Sequence, residues 1–435
     1  MALYHPPVMV GARWISSVGG LAVIAALALA GSGCAPSTPP NLLLITVDTL
    51  RPDHLGYAGY QLPTSPAIDR LAAEGVRFER TYSQAGWTLP SVATILTGLY
   101  PGQHGAVFPG LGLGDVPTLA GLLQTAGYDT RAFVSHGFLQ SGYGLERGFG
   151  HYDASVLDVG HPAKVASGEP LTDSVLAAWN SLEPPFFVWI HYFDPHYDYL
   201  RHEEWPHFAS RRTDRYDSEI AHTDRQIGRV LDALEASGEA GDTVVVLTAD
   251  HGEEFGEHAG RFHYSLYEED VRIPLVIRAP GLEPGVETAV AQQVDVLPTV
   301  LGLLGVEPPE ALPGRRLLPL EERERPVFME RIRPRPFRQQ ALIRGDKKIY
   351  RTEIVEEVPN LAEVERKSAL RAGIRLYDLA SDPGETRDLY REGDPEAAEL
   401  LALLDQLAAM PRAEGDEIGV DAETRARLRR LAVLD

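Results

Sequence analysis

Three short apolar runs organise the chain, and each ends in polar chemistry. Asn41 to Asp48 (NLLLITVD) closes on an acid. Thr243 to Gly252 (TVVVLTADHG) closes on an acid and an imidazole. Phe186 to His196 (FFVWIHYFDPH) closes on Asp194, Pro195 and His196. Apolar runs rich in β-branched residues and without alternation predict strands buried on both faces, hence a mostly parallel sheet covered by helices. In such α/β sheets ligands bind beyond the carboxyl ends of the strands. One rim then receives Asp48, Asp250, His251 and His196, and converging oxygen and nitrogen donors suit a divalent cation. His191, inside the third run, is expected to point into the sheet and bond a backbone carbonyl.

Between the first two strands, Gly86 to Gly98 (GWTLPSVATILTG) predicts a helix. Pro90 fits a first turn, where its missing N–H costs nothing. Val92, Ile95 and Leu96 form an apolar face, and Gly98 ends it. Thr88 stands at the helix N-terminus, where backbone donors and the macrodipole favour an anion. Alone, Thr88 reads as an N-cap; beside Asp48, Asp250 and His251 it reads as a nucleophile that a cation activates. Amphipathic patterns near 220–236 and 396–409 predict helices that cover the sheet with solvated charged faces. The chain divides into a large α/β unit over 41–320 and a smaller subdomain over 321–435. A loop over 160–170 and a charge-rich stretch over 352–371 interrupt them; four arginines over 331–338 read as solvated surface.

Ordered motifs resemble the sulfatase family of the alkaline phosphatase superfamily. They are VDTLRPDHLG from Val47, TLPSV from Thr88 with LTGLYP from Leu96, Asp194-Pro195-His196, and DHGE from Asp250. YEE from Tyr267 with RIPL from Arg272, VDVLPT from Val294, and LYDL from Leu376 with DPGE from Asp382 complete the series. Several moderately specific motifs in family order are together specific. The resemblance spans about 41–390 and implies a parallel central sheet with a small C-terminal α+β subdomain that ends in a helix. It implies one divalent ion (Ca, Mn, Zn or Mg) held by Asp48, Thr88, Asp250 and His251. It also gives His196 and His263 the roles of holding the anionic group and protonating the leaving oxygen, tasks that suit imidazole.

The departures are informative. Typical sulfatases have Cys or Ser at the Thr88 position, which is oxidised to formylglycine, and Arg where Val92 stands. The only cysteine here is Cys34, so formylglycine is not expected. Thr49 replaces the second acid of the usual pair, and His263 aligns with the usual Lys. The pattern is similar to Thr-nucleophile relatives in the superfamily. Threonine lacks the second hydroxyl through which a formylglycine hydrate expels sulfate. Phosphate monoesters, diesters or phosphonates are therefore placed a little above sulfate esters, and the expected substrate is a sulfate or phosphate ester. The resemblance implies a metal-dependent ester hydrolase. A phosphoglycol-type transferase acting on a glycan or glycolipid, and an inactive binding lipoprotein, are the alternatives. The first lacks the multiple membrane spans of its relatives; the intact motifs argue against the second.

Composition adds location and excludes one partner class. With 435 residues, 44% hydrophobic, the chain can bury a large core. A net charge of −22 disfavours nucleic acid. Residues 1–33 read as a signal peptide: Arg13, an apolar Val18–Ala30, then Gly31-Ser32-Gly33 before Cys34. That setting resembles a bacterial lipoprotein box, although Gly31 stands where Leu is usual. Residues 34–40 form a proline-rich tether. The expected location is the bacterial cell envelope, with a lipid anchor at Cys34 as the only membrane contact. His54 and His258 lie near the motifs and read equally as loop residues; Arg51 is expected to orient an acid or cap a turn.

Overall fold

The computed structural model describes residues 39–156, 167–202, 205, 211–260, 262–263, 265–319, 325–332, 337–355 and 372–418. The signal-like start, Cys34 and most of the tether lie outside the described residues. So do most of the 160–170 loop, most of 352–371 and part of the 331–338 arginine stretch. Residues 38–435 form one compact unit.

Its centre is an eight-stranded sheet in the order Gly285–Glu287, Val76–Phe78, Leu275–Arg278, Thr243–Ala249, Asn41–Val47, Phe186–Tyr192, Asp129–Val134 and His151–Asp153. Only Leu275–Arg278 runs against the others. The three apolar runs are adjacent central strands, as the absence of alternation requires. Their side chains divide by parity between two cores. Leu42, Leu44, Phe187, Trp189, Val244 and Val246 face one; Leu43, Ile45, Val188, Ile190, Val245 and Leu247 face the other. All are fully buried or nearly so, each contributing roughly 1.5–3 kcal/mol of transfer free energy.

A second sheet, Val327–Ile332, Phe337–Arg344, Lys347–Ile354 and Gly373–Asp378, is antiparallel throughout. Leu342, Ile349 and Leu376 on one face meet Leu400 and Leu404 of helix Pro395–Ala408. The other face, with Ala341 and Tyr350, packs on Tyr82, Leu266 and Tyr267 of the large unit. Asp394 starts the helix by accepting the Glu396 and Ala397 amides, with Pro395 next to it.

One helix differs from its sequence reading. Arg212–Ser237 covers the sheet, yet much of its charge is buried. Asp217 accepts from the Tyr60 hydroxyl and pairs with His54, and Glu219 pairs with His202. Asp224 accepts the Ala67 and Ile68 amides at 2.9 and 2.8 Å, capping helix Pro66–Glu74 from outside. Buried acids persist here because each has donors that replace water. Among the described residues no helix is long and apolar enough to cross a membrane.

Candidate active site

Strand register builds the rim. Val47 lies beside both Tyr192 and Ala249, so the residues after Val47 and Ala249, Asp48 and Asp250, emerge next to each other. The turn after Asp48 is bent back. Thr49 has φ +55°, a left-handed conformation costly for a β-branched residue, by about 1–3 kcal/mol. It is held from both sides: its amide donates to Asp250 Oδ1 at 3.1 Å, and its carbonyl accepts from the Tyr216 hydroxyl at 2.6 Å. Gly252 is required by crowding, since a Cβ there would lie 2.0 Å from the Glu269 carbonyl oxygen.

The predicted helix is Thr88–Thr97, ended by Gly98 in the left-handed region. The N-cap is extended Trp87, and no side chain caps the helix. Thr88 is therefore its first residue rather than its cap, and its hydroxyl is spent on no helix amide. Thr88 Oγ1 lies 3.4 Å from His251 Nε2. His251 Nε2 is also 3.6 Å from Asp48 Oδ1 and 3.4 Å from Asp250 Oδ2. Its Nδ1 lies 2.9 Å from the Gly252 carbonyl, which fixes the proton on Nδ1 and turns the Nε2 lone pair to the acids. Val92, the usual arginine position, is fully buried in the apolar core.

His196 and His263 reach the same place. The His263 ring centroid is 4.5 Å from His251 and 4.9 Å from His196. His263 Nδ1 faces Glu253 Oε1 at 3.4 Å, and His196 Nδ1 lies 2.7 Å from the Tyr197 carbonyl. All six residues singled out from sequence thus converge. His54 and His258 do not; they pair with Asp217 and Glu269. Arg51 orients acids, bridging Asp53 and Glu257 and donating to the Glu253 carbonyl.

Two members were not foreseen and one was misread. His136, two residues beyond strand Asp129–Val134, places Nε2 3.6 Å from Asp48 Oδ2. Glu253, inside the quoted DHGE motif, carries a fully buried carboxylate behind His263. His191 bonds no carbonyl: its Nδ1 meets the Thr46 hydroxyl at 2.9 Å, and its Nε2 faces Asp48 Oδ2 at 3.6 Å. A polar residue late in a doubly buried strand gave the only sequence signal for it.

The electrostatics suit a cation. Burial first, then the charges of Asp250 and Glu253, holds the Asp48 carboxyl well above its ordinary range. Burial also raises Asp250, and it raises Glu253 to about 7. Among the described residues no lysine or arginine pairs with the Asp48 or Asp250 side chain; their ion-pair partners are histidines. Both Asp48 oxygens and Asp250 Oδ2 are buried without a hydrogen-bond partner, which is costly for carboxylates. Donor atoms of Asp48, His191 and Asp250 all lie within 4.8 Å of one another, as do those of Asp48, His136 and His196. Buried acids without a lysine or arginine partner, facing converging imidazole nitrogens, fit a divalent ion. Burial, then His263, lowers His196 to about 3, so it is neutral near pH 7.

The Sulfatase family model matches residues 40–306, more than half of the chain. Bovine (Bos taurus) arylsulfatase A is 28% identical over 88% of this chain and 89% of its own. An enzyme solved with its substrate D-glucosamine-2-N,6-O-disulfate superposes at a TM-score of 0.69 with 20% identity, covering 85% of this chain and 97% of its own. The phosphonate monoester hydrolase of Agrobacterium radiobacter superposes at 0.67 with 21% identity, covering 85% and 95%. Fold, motif order and family match agree: the chain belongs to the sulfatase family and is an ester hydrolase.

Proposed function

We propose that this protein is a metal-dependent hydrolase of phosphate, phosphodiester or phosphonate esters, with unmodified Thr88 as nucleophile. The observation that carries the reading is the Thr88 hydroxyl, free of any capping role, 3.4 Å from His251 Nε2 beside the buried Asp48 and Asp250 carboxylates, three of whose oxygens have no hydrogen-bond partner. Asp48, Thr88, Asp250 and His251 would hold one divalent ion. Such an ion supplies charge to lower the hydroxyl pKa and to offset the anionic ester.

The chain's own groups do the rest. Thr88 Oγ attacks phosphorus and the ester P–O bond breaks. Neutral His196, whose Nδ1 holds its hydrogen against the Tyr197 carbonyl, takes the Thr88 proton on Nε2 and passes it to the departing oxygen. His263, oriented by Glu253, shares the anionic oxygens. Water then attacks the phospho-threonine, the Oγ–P bond breaks, and Thr88 regains a proton. Sulfate esters are disfavoured because threonine offers no second hydroxyl to expel sulfate from the enzyme. The sulfated saccharide in the related structure makes an anionic glycan ester a natural substrate class to include. The signal-like start and sole cysteine support export to the cell envelope and a lipid anchor at Cys34. A panel of aryl sulfate, phosphate monoester, diester and phosphonate substrates, assayed with several metals, tests the proposal. Fast sulfate hydrolysis with negligible turnover of phosphorus esters overturns it.

A further inference from the structure

We infer that His191 is an additional ligand of the metal centre, and that the centre is in consequence selective for a nitrogen-binding transition ion such as Zn²⁺ over Ca²⁺ or Mg²⁺. This rests on the reading of Asp48, Asp250 and His251 as a metal site, and adds to it a residue and an ion class.

Hydrogen bonding fixes the His191 tautomer. Thr46 and His191 are partners across adjacent strands. Thr46 Oγ1 accepts from Trp189 Nε1 at 2.9 Å, because an indole nitrogen only donates. Its single proton goes to the Ile190 carbonyl at 3.2 Å. Toward His191 Nδ1, at 2.9 Å, it is therefore an acceptor, and Nδ1 carries the hydrogen. The Nε2 lone pair then points at Asp48 Oδ2, 3.6 Å away, beyond hydrogen-bond reach. Both side chains are fully buried, and neither of these two atoms has a hydrogen-bond partner. A lone pair facing a carboxylate oxygen is repulsive unless a cation lies between them. Two donors each about 2.1 Å from one ion lie at most ~4.2 Å apart, and the separation here fits that limit.

The same test separates the other imidazoles. His251 likewise keeps its proton on Nδ1 and turns a lone pair to Asp48 Oδ1, the other oxygen of the same carboxylate. His136 is opposite. Its Nδ1 accepts the Phe138 amide at 3.1 Å, so its Nε2 carries the hydrogen and presents a donor to Asp48, not a lone pair. His136 is thus a positioning residue despite its place in the cluster. Two imidazoles with two carboxylates form a mixed nitrogen–oxygen set, which suits Zn²⁺ or its neighbours; Ca²⁺ and Mg²⁺ prefer oxygen alone.

The test strips the purified protein of metal and reloads it with Zn²⁺ or Ca²⁺. Zinc-edge X-ray absorption of the unmutated protein should show two imidazoles per bound ion. His191→Gln should show one, with zinc affinity reduced at least about tenfold and calcium affinity little changed; His136→Gln should keep two. One imidazole in the unmutated protein, unchanged zinc affinity in His191→Gln, or tighter binding of Ca²⁺ than Zn²⁺ overturns the inference. The unmutated spectrum does not depend on how well a variant folds. Full metal occupancy in Asp250→Ala would instead defeat the underlying metal reading, so the two failures are distinguishable.

Discussion

Stripping divalent ions should lower the melting temperature, and more so at higher pH. Two fully buried carboxylates, Asp48 and Asp250, have no lysine or arginine partner among the described residues, so an ion held there would bind the folded chain and not the unfolded one. At an ion concentration one hundred times Kd the gain is about 2.7 kcal/mol. The compact unit covers residues 38–435. Its melting entropy is on the order of 0.8 kcal/mol/K, so removal of the ion lowers Tm by about 3 °C. The sign with pH follows from the acids. Asp48 and Asp250 have folded pKa values raised, chiefly by burial. In the stripped protein their protonation stabilises the fold below their unfolded pKa, and this is lost as pH rises through the folded value. Protons also compete with the ion for the same oxygens. The gap between loaded and stripped protein should therefore widen as pH rises through the folded pKa values of the two acids. Remote groups such as Asp224 titrate alike in both forms and cancel. Scanning calorimetry with and without chelator measures the gap, and Asp250→Ala should abolish it. A gap of zero, or one that narrows with rising pH, refutes the reasoning.

Thr88→Ala should reduce kcat by about a thousandfold or more in steady-state assays while the far-ultraviolet spectrum is unchanged; Thr88→Ser should retain part of the activity. Gly252→Ala should weaken ion binding and lower Tm, because a Cβ there meets the Glu269 carbonyl at 2.0 Å; calorimetry reads both. Asp224→Ala leaves the Ala67 and Ile68 amides without their cap and should cost about 1–2 kcal/mol in urea unfolding. Mass spectrometry of the natural N-terminus should show a diacylated Cys34; an unmodified terminus at Gly31 would establish simple cleavage.

The strands that carry Asp48, Asp250 and His251 were legible because a strand buried on both faces leaves a run of apolar residues with no break until its functional end. Thr88 was legible through Pro90 and Gly98, which mark the first turn and the end of the helix that Thr88 opens. His191 was not, because burial on both faces removes the alternation that would tell a site-facing side chain from a core one. Only the Thr46–Trp189–Ile190 hydrogen bonds reveal where its lone pair points. His136 follows a strand, Asp129–Val134, whose polar residues weaken its apolar pattern, so its arrival beside Asp48 depends on sheet order. The buried acids of Arg212–Ser237 look like a solvated helix face in sequence, because their partners, the Ala67 amide and His202 among them, come from other segments.

The covalent role of Thr88 is tested most directly by acid quench during turnover of a phosphodiester, followed by peptide mass spectrometry. The peptide containing Thr88 should carry one phosphoryl group, and that species should disappear in Thr88→Ala. A steady state with full turnover and an unmodified Thr88 peptide would contradict the covalent mechanism.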